Sequence, residues 1–272
     1  MTTSPADRHG IAVAVRGVEK HFTTRGSSLH ALSGIDLDVP EGRFVTLFGP
    51  SGCGKSTLLR ILAGLEASDA GEVELYGQPP AAASARKEIA WIPQTPALLP
   101  WRTVRENARL SADVNRTADR LGGSQRVPLD PDELLAALGL EAFADARPDQ
   151  LSGGMRQRAS IARGFAQGAP LMLMDEPFSA LDELSREAAQ LTLVELWERY
   201  RKTVVFVTHS AAEAVLLSDQ VVVMTPRPGR IHAVVDIDLP RPRSSRLEET
   251  DEFAALVTHV KHTLRSGWQA AE

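Results

Sequence analysis

Apolar and polar positions along the chain switch several times between a period of two and a period near 3.6. Residues 11–15 and 35–39 alternate apolar with other residues around a polar, glycine-containing segment at 23–28, which predicts an antiparallel strand pair and a β-rich edge. The run Phe44-Val45-Thr46-Leu47-Phe48 predicts a short strand, followed by a glycine-rich turn and a helical run that ends at Gly64. Residues 71–77 read as a strand closed by a glycine turn, 81–87 as loop or weak helix, and 89–92 as a short strand leading to Pro93-Gln94. The proline-rich stretch 95–101 suits no regular element. From Thr103 to about Leu140 the pattern is helical, with a break at Gly122-Gly123-Ser124 and a helix start at Asp130-Pro131-Asp132-Glu133. A further helix begins at Ser152 and runs to about Gln167, and the wholly apolar Leu171-Met172-Leu173-Met174 then predicts a buried parallel strand. Helix 184–200, strand 203–207, helix 211–217 and strand 220–224 complete a βα succession. The expected fold is α/β: a mostly parallel sheet core with an antiparallel β-subdomain and an inserted α-helical subdomain.

This pattern divides the chain into a disordered tail at 1–10, a main domain at 11–240 with the helical insert at about 95–168, and a C-terminal tail at 241–272. In that tail Phe253, Leu256, Val257, Val260 and Leu264 form the stripe of an amphipathic helix, expected to pack on the core. Composition narrows the function. A net charge of −5 and the lack of a long Lys/Arg block give no electrostatic footprint for nucleic acid, which is therefore not an expected partner. One cysteine, Cys53, permits neither an intrachain disulfide nor a multi-cysteine metal site, and a reducing compartment fits. No stretch approaches the roughly 18 consecutive apolar residues of a membrane span, and residues 1–10 lack the apolar core of a secretory signal.

The chemistry begins at Gly49-Pro50-Ser51-Gly52-Cys53-Gly54-Lys55-Ser56-Thr57. Between a strand and a helix, this spacing makes a phosphate-binding loop. The glycines let successive N–H groups and the positive end of the helix dipole face one point. Lys55 adds a positive charge for the outer phosphates, and the Ser56 hydroxyl stands where it can ligate Mg²⁺. The chain is expected to bind a nucleoside triphosphate. The strand Leu171-Met172-Leu173-Met174 ends in Asp175 and Glu176 at the same sheet edge, so Asp175 is expected to hold Mg²⁺ and Glu176 to polarise the attacking water. Ser152 is a good N-cap, and Gly153 and Gly154 bare the backbone at a helix start, making a second anion cradle.

The segment Leu151-Ser152-Gly153-Gly154-Met155-Arg156-Gln157-Arg158 resembles the signature motif of ATP-binding cassette (ABC) ATPases, and residues 11–238 resemble a cassette subunit of a membrane transporter. That resemblance implies a P-loop NTPase (RecA-like) core and assigns further roles. Asp182 matches the D-loop residue that contacts the partner subunit. His209 matches the switch histidine that reaches the γ-phosphate. Gln94 matches the Q-loop glutamine that senses Mg²⁺ and water, and Phe22 stands where an aromatic stacks on adenine. Cys53 reads as a tolerated small residue without a catalytic role, at a helix N-terminus that could lower its pKa. The implied catalytic set is Glu176, His209, Lys55 and Gln94.

The same resemblance implies that ATP is clamped between the phosphate loop of one copy and the signature of a second, in a homodimer on the cytoplasmic face of a membrane. Separate permease subunits and, indirectly, an extracytoplasmic solute-binding protein are the implied partners. The stretch from Pro93-Gln94 through Leu98-Leu99-Pro100-Trp101-Arg102-Thr103-Val104-Arg105-Glu106-Asn107, with Arg227-Pro228-Gly229-Arg230-Ile231, resembles the cassettes of nitrate, sulfonate and taurine importers. Leu98, Leu99 and Trp101 are expected to form an apolar cluster that receives a short helix from a membrane subunit. The alternative, a soluble cassette ATPase acting on nucleic acid or ribosomes, lacks the coiled-coil insertions, paired cassettes or basic arms expected of it.

Overall fold

A computed structural model describes residues 10–24, 26–114 and 125–269. The proposed tail up to residue 9 and the break at Gly122-Gly123-Ser124 lie outside them. Strands β1 (Ile11–Thr24) and β2 (Ser27–Pro40) form the antiparallel pair, with Val13 opposite Val39 and Val15 opposite Leu37. Both run well beyond the segments 11–15 and 35–39. Register shifts between Val15 and Val18, at Lys20 and at His21 interrupt the period-two alternation there, so the sequence pattern fades while the strands continue. β4 (Ala70–Leu75) pairs with the other edge of β1 and completes a three-stranded antiparallel sheet.

The second sheet has six strands in the order β5-β6-β7-β3-β8-β9. They are β3 (Phe44–Phe48), β5 (Ile89–Ile92), β6 (Leu171–Asp175), β7 (Thr203–Thr208), β8 (Gln220–Thr225) and β9 (Arg230–Asp236). Five are mutually parallel, and β9 closes the edge antiparallel to β8. β9 was not legible in the sequence, because its exposed face carries Arg230, His232 and Asp236 and its inward positions are partly buried.

Helix starts follow capping chemistry. α1 (Lys55–Leu62) leaves the phosphate loop directly, and α2 (Pro80–Ala85) opens with proline at its first position. In the segment between β5 and β6, α3 (Val104–Ala108) starts with a reciprocal Thr103–Glu106 capping box, and α4 (Leu110–Val114) follows. Asp130 caps α5 (Pro131–Ala137), and Ser152 caps α6 (Gly153–Ala166). Asp182 caps α7 (Glu183–Tyr200), Ser210 caps α8 (Ala211–Leu217), and α9 (Asp251–Gln269) ends the described chain.

The side-chain alternation of the parallel strands divides the core. Phe44, Met172, Met174, Val204 and Phe206 face the helical insert and α7, where Leu134, Phe165, Leu193 and Trp197 are buried. Val45, Leu47, Leu173, Val205 and Val207 face α1, which also meets Val13, Val15 and Ile35 of the antiparallel sheet. α1 is thus held between the two sheets, and this packing fixes the direction of its N-terminus. On a third cluster, Phe253 and Val260 of α9 are buried against Phe48, Val215 and Val223, with Leu256, Val257 and Leu264 packed alongside. The C-terminal stripe therefore covers the core, as its period predicts. Among the described residues, no helix is long and apolar enough to cross a membrane.

Candidate functional site

β3 is buried along its whole length and delivers the chain to Gly49. A side chain at Gly49 has no room, since its Cβ would lie 2.5 Å from the Met224 carbonyl oxygen and 2.9 Å from the Cys53 sulfur. Gly54, the residue before α1, takes φ +93°, and a Cβ there would also collide with Leu32 at 2.5 Å. These two constraints bend the loop around Lys55. The lysine is almost fully buried, and its Nζ donates to the Gly49 and Pro50 carbonyl oxygens at 2.8 and 2.9 Å. The ammonium group is therefore held in the concavity of the loop, in place for phosphate oxygens to bind.

The loop opens into a cavity of about 420 Å³ lined by Phe22, Lys55, Ser56, Gln94, Asp175 and Glu176 among others. Residues separated by more than 150 positions thus meet in one space. Ser56 Oγ donates to Asp175 Oδ1 at 2.7 Å. Burial pushes the Asp175 carboxyl up from the ordinary carboxylate range, the Ser56 hydrogen bond opposes this, and the Glu176 charge adds to it. A facing hydroxyl and carboxylate are hard oxygen donors of the kind Mg²⁺ takes, so this pair fits that ion.

Glu176 has φ +44°, a left-handed conformation rare for a residue with a side chain. Its N–H donates to the Val207 carbonyl at 3.1 Å, and its Oε2 lies 3.2 Å from His209 Nδ1. This conformation turns the carboxylate out of the sheet toward His209, which follows β7. Gln94 Nε2 donates to Ser179 Oγ at 3.1 Å, and Ser179 Oγ donates to the Glu176 carbonyl at 3.0 Å. Ser179 and Arg227, which also lines the cavity, were missed as site residues. Ser179 meets Gln94 across 85 positions and Arg227 reaches the cavity from beyond β8, and no local pattern could mark either contact.

The remaining motif residues stand apart from this cavity. Ser152 Oγ accepts the Met155 N–H at 3.2 Å, and Ser152 and Gly153 are exposed. A Cβ on Gly154 would approach Ser185 to 3.1 Å, so the turn packs beside the start of α7. There Asp182 is exposed and accepts the Ser185 N–H at 3.0 Å, a bond that holds its carboxyl below the usual range. The signature turn and Asp182 are therefore neighbours on one face, and neither lines the cavity of its own chain.

Two expectations need correction. Cys53 is fully buried, and burial pushes its thiol up against the opposing influence of Lys55, so the helix N-terminus does not yield a reactive thiolate. Alkylation of the native protein by iodoacetamide is expected to run at least about tenfold slower than after denaturation. Equal rates, timed by mass spectrometry, would show the thiol to be open. Nor do Leu98, Leu99 and Trp101 form one exposed cluster. Leu98 packs on the helical core, Leu99 is half-buried, and Trp101 alone projects, 68% exposed. The loop is clamped from within. Buried Asn107 donates to the carbonyls of Leu99, Arg102 and Thr103 and accepts the Leu99 N–H, while Arg163 donates to the Pro96 and Ala97 carbonyls.

Comparison with known proteins agrees with this geometry. The ABC transporter family profile matches residues 32–179. The chain is 42% identical over 254 residues to an uncharacterized ABC transporter ATP-binding protein of Methanocaldococcus jannaschii, covering 93% of this chain and 92% of that one. It is 38% identical over 243 residues to the aliphatic sulfonates import ATP-binding protein SsuB of Bacillus cereus, covering 89% and 93%. The bicarbonate transport ATP-binding protein CmpC of Synechococcus elongatus is 45% identical over 233 residues, which cover 85% of this chain and 34% of that longer protein. Among solved structures, a dimeric post-hydrolysis ATP-binding cassette bound to ADP and Pi superposes with a TM-score of 0.69 at 30% identity, covering 84% of this chain and 100% of that one. The chain belongs to the ABC transporter family and is an ATP-hydrolysing cassette subunit with a P-loop NTPase fold.

Proposed function

We propose that two copies of this chain close over two ATP molecules at the cytoplasmic face of a membrane and drive import of a small solute through separate permease subunits. The observation that carries this reading is the Ser152-Gly153-Gly154 turn, exposed at Ser152 and Gly153. It has the cap and bare backbone of an anion cradle, yet takes no part in the cavity of its own chain. A second copy would supply that turn to the γ-phosphate, with Asp182 beside it at the contact.

In this reading Phe22 stacks on adenine, the loop from Gly49 to Thr57 cradles the phosphates, and Lys55 exchanges its carbonyl partners for phosphate oxygens. Glu176 accepts a proton from the attacking water, and His209 orients Glu176 and the γ-phosphate. Ser56, Asp175 and Gln94 would hold Mg²⁺, which supplies charge neutralisation of the phosphates when bound. Gln94 and Ser179 join this centre to the loop that carries Trp101, which would meet the membrane subunit. The main domain at 11–240 would carry these steps, and the C-terminal tail at 241–272 would brace it.

Import is supported by relatives named for sulfonate and bicarbonate transport. Nitrate, sulfonate, taurine or a related small solute, delivered by an extracytoplasmic binding protein, is the proposed cargo. A tagged chain is expected to co-purify from its native membranes with an integral membrane subunit. Co-sedimentation with ribosomes or DNA and no membrane partner would overturn the reading. Trp101→Ala is expected to leave the ATPase rate of the isolated subunit intact and to cut solute uptake by the assembled transporter about fivefold, the loss typical of one exposed aromatic anchor. Unchanged uptake would remove Trp101 from the coupling contact.

A further inference from the structure

At the rim of the cavity the β1–β2 ribbon carries Glu19, His21 and His30, a group to which the proposed nucleotide chemistry gives no role, although His30 also lines the cavity. His21 and His30 stand opposite one another across the two strands, with their rings stacked at 4.0 Å between centroids. Both Nε2 atoms converge on the same oxygen, Glu19 Oε2, at 3.9 Å from His21 and 4.0 Å from His30. One ligand atom from each residue lies within 4.8 Å of the other two. The Nε2 atom of His30 is shut off from solvent and has no hydrogen-bond partner, although the three side chains are themselves half-exposed and reachable. A polar nitrogen in that state is short of one partner.

We propose that Glu19, His21 and His30 form a binding site for a divalent transition-metal ion of the zinc class. Two imidazoles and a carboxylate are the donor set such ions take, and imidazole selects them over Mg²⁺. Two ligands held about 2.1 Å from one ion stand at most about 4.2 Å apart and roughly 3.4 Å apart in a tetrahedron, so the two Glu19–histidine distances need to contract by about half an ångström, and the stacked, half-exposed rings must turn about their side-chain bonds to aim both lone pairs at the ion. The charge of Lys20, next to Glu19 in sequence, is offset by its pairing with Glu66 at 2.7 Å and Asp69 at 3.6 Å. Asp69 also accepts the His21 N–H and so fixes the backbone beneath one ligand. Solvent molecules would complete the coordination sphere on the open side.

The test is titration of the full chain, free of nucleotide, with Co²⁺ followed by visible absorption and with Zn²⁺ followed by calorimetry. One equivalent is expected to bind, and His21→Gln, His30→Gln and Glu19→Gln are each expected to weaken it at least tenfold. The double variant His259→Gln/His262→Gln, on the exposed face of α9, is expected to bind as the parent does. Circular dichroism checks that the variants are folded, and in the parent protein Zn²⁺ is expected to raise Tm and EDTA to reverse the rise. No binding by the folded parent, equal binding by the three site variants, or loss of binding in the α9 variant would each overturn the proposal.

Discussion

Glu176→Gln is expected to lower the ATPase rate by about 10²–10⁴-fold, the range that loss of a positioned general base produces. The substitution keeps the size of the side chain and its reach to His209, at 3.2 Å in the parent, but removes the carboxylate that, in the proposed mechanism, accepts the proton of the attacking water. In the same proposal ATP binding rests on other groups that line the cavity, Lys55, Ser56, Asp175 and the loop N–H groups, and is expected to persist. In the proposed cycle the intact γ-phosphate ties the phosphate loop of one copy to the Ser152-Gly153-Gly154 turn of the other, and hydrolysis releases the tie. The variant should therefore accumulate as an ATP-bound dimer. Size-exclusion chromatography with light scattering, run with and without Mg-ATP, reads this directly. A persistent monomer with normal hydrolysis would sink both the role of Glu176 and the sandwich.

Gly229→Ala is expected to cost about 100-fold in kcat/KM for ATP, although the residue lies outside every nucleotide motif. Its position in the turn between β8 and β9 presses it onto the phosphate loop. A Cβ there would sit 2.1 Å from the Cys53 carbonyl oxygen and 3.0 Å from the Ala31 carbonyl oxygen. Both contacts are backbone, so no rotamer change relieves them. Gly229 is also stitched in place, its N–H donating to Ala31 at 2.9 Å and its carbonyl accepting from Ser33 at 3.0 Å. Relief of the clash with the Cys53 carbonyl by a shift of the phosphate loop of about an ångström is enough to misalign its N–H donors and produce a loss of that size. Overpacking of this kind also destabilises by about 1–3 kcal/mol. Steady-state ATPase kinetics together with the Tm gained on adding Mg-ATP measure both effects. Parent-like kinetics in a folded variant would show that the turn does not set the position of the loop.

Much of the fold can be read along the chain wherever one local rule operates. The parallel strands are short apolar runs, and the caps at Thr103, Asp130, Ser152, Asp182 and Ser210 each start a helix in the structure. Legibility fails where two rules compete. In β1 and β2 the register shifts around Val18 and Lys20 break the alternation, and at β9 polar residues on the exposed face mask the apolar side. Leu98 and Trp101 are both apolar residues on one proline-rich loop, and only the hydrogen bonds from Asn107 and Arg163 to the loop backbone decide which of them turns inward.

The sequence alone determined the identity of the chemistry. Gly49 to Thr57, the pair Asp175-Glu176 and the turn Ser152-Gly153-Gly154 are each contiguous, and their spacing follows from backbone geometry that a few neighbouring residues set by themselves. Tertiary structure alone decided which of these groups share a space. Phe22, Gln94, Asp175 and Arg227 reach one cavity because α1 is packed between two sheets, whereas Ser152 and Asp182 are placed together on another face. The conformation of Glu176, the burial that keeps Cys53 unreactive, the seat of Gly229 on the loop and the meeting of Glu19 with two histidines belong to the same class. Each depends on contacts between segments far apart in sequence, and such contacts are fixed by the packing of the whole core and leave no local pattern along the chain.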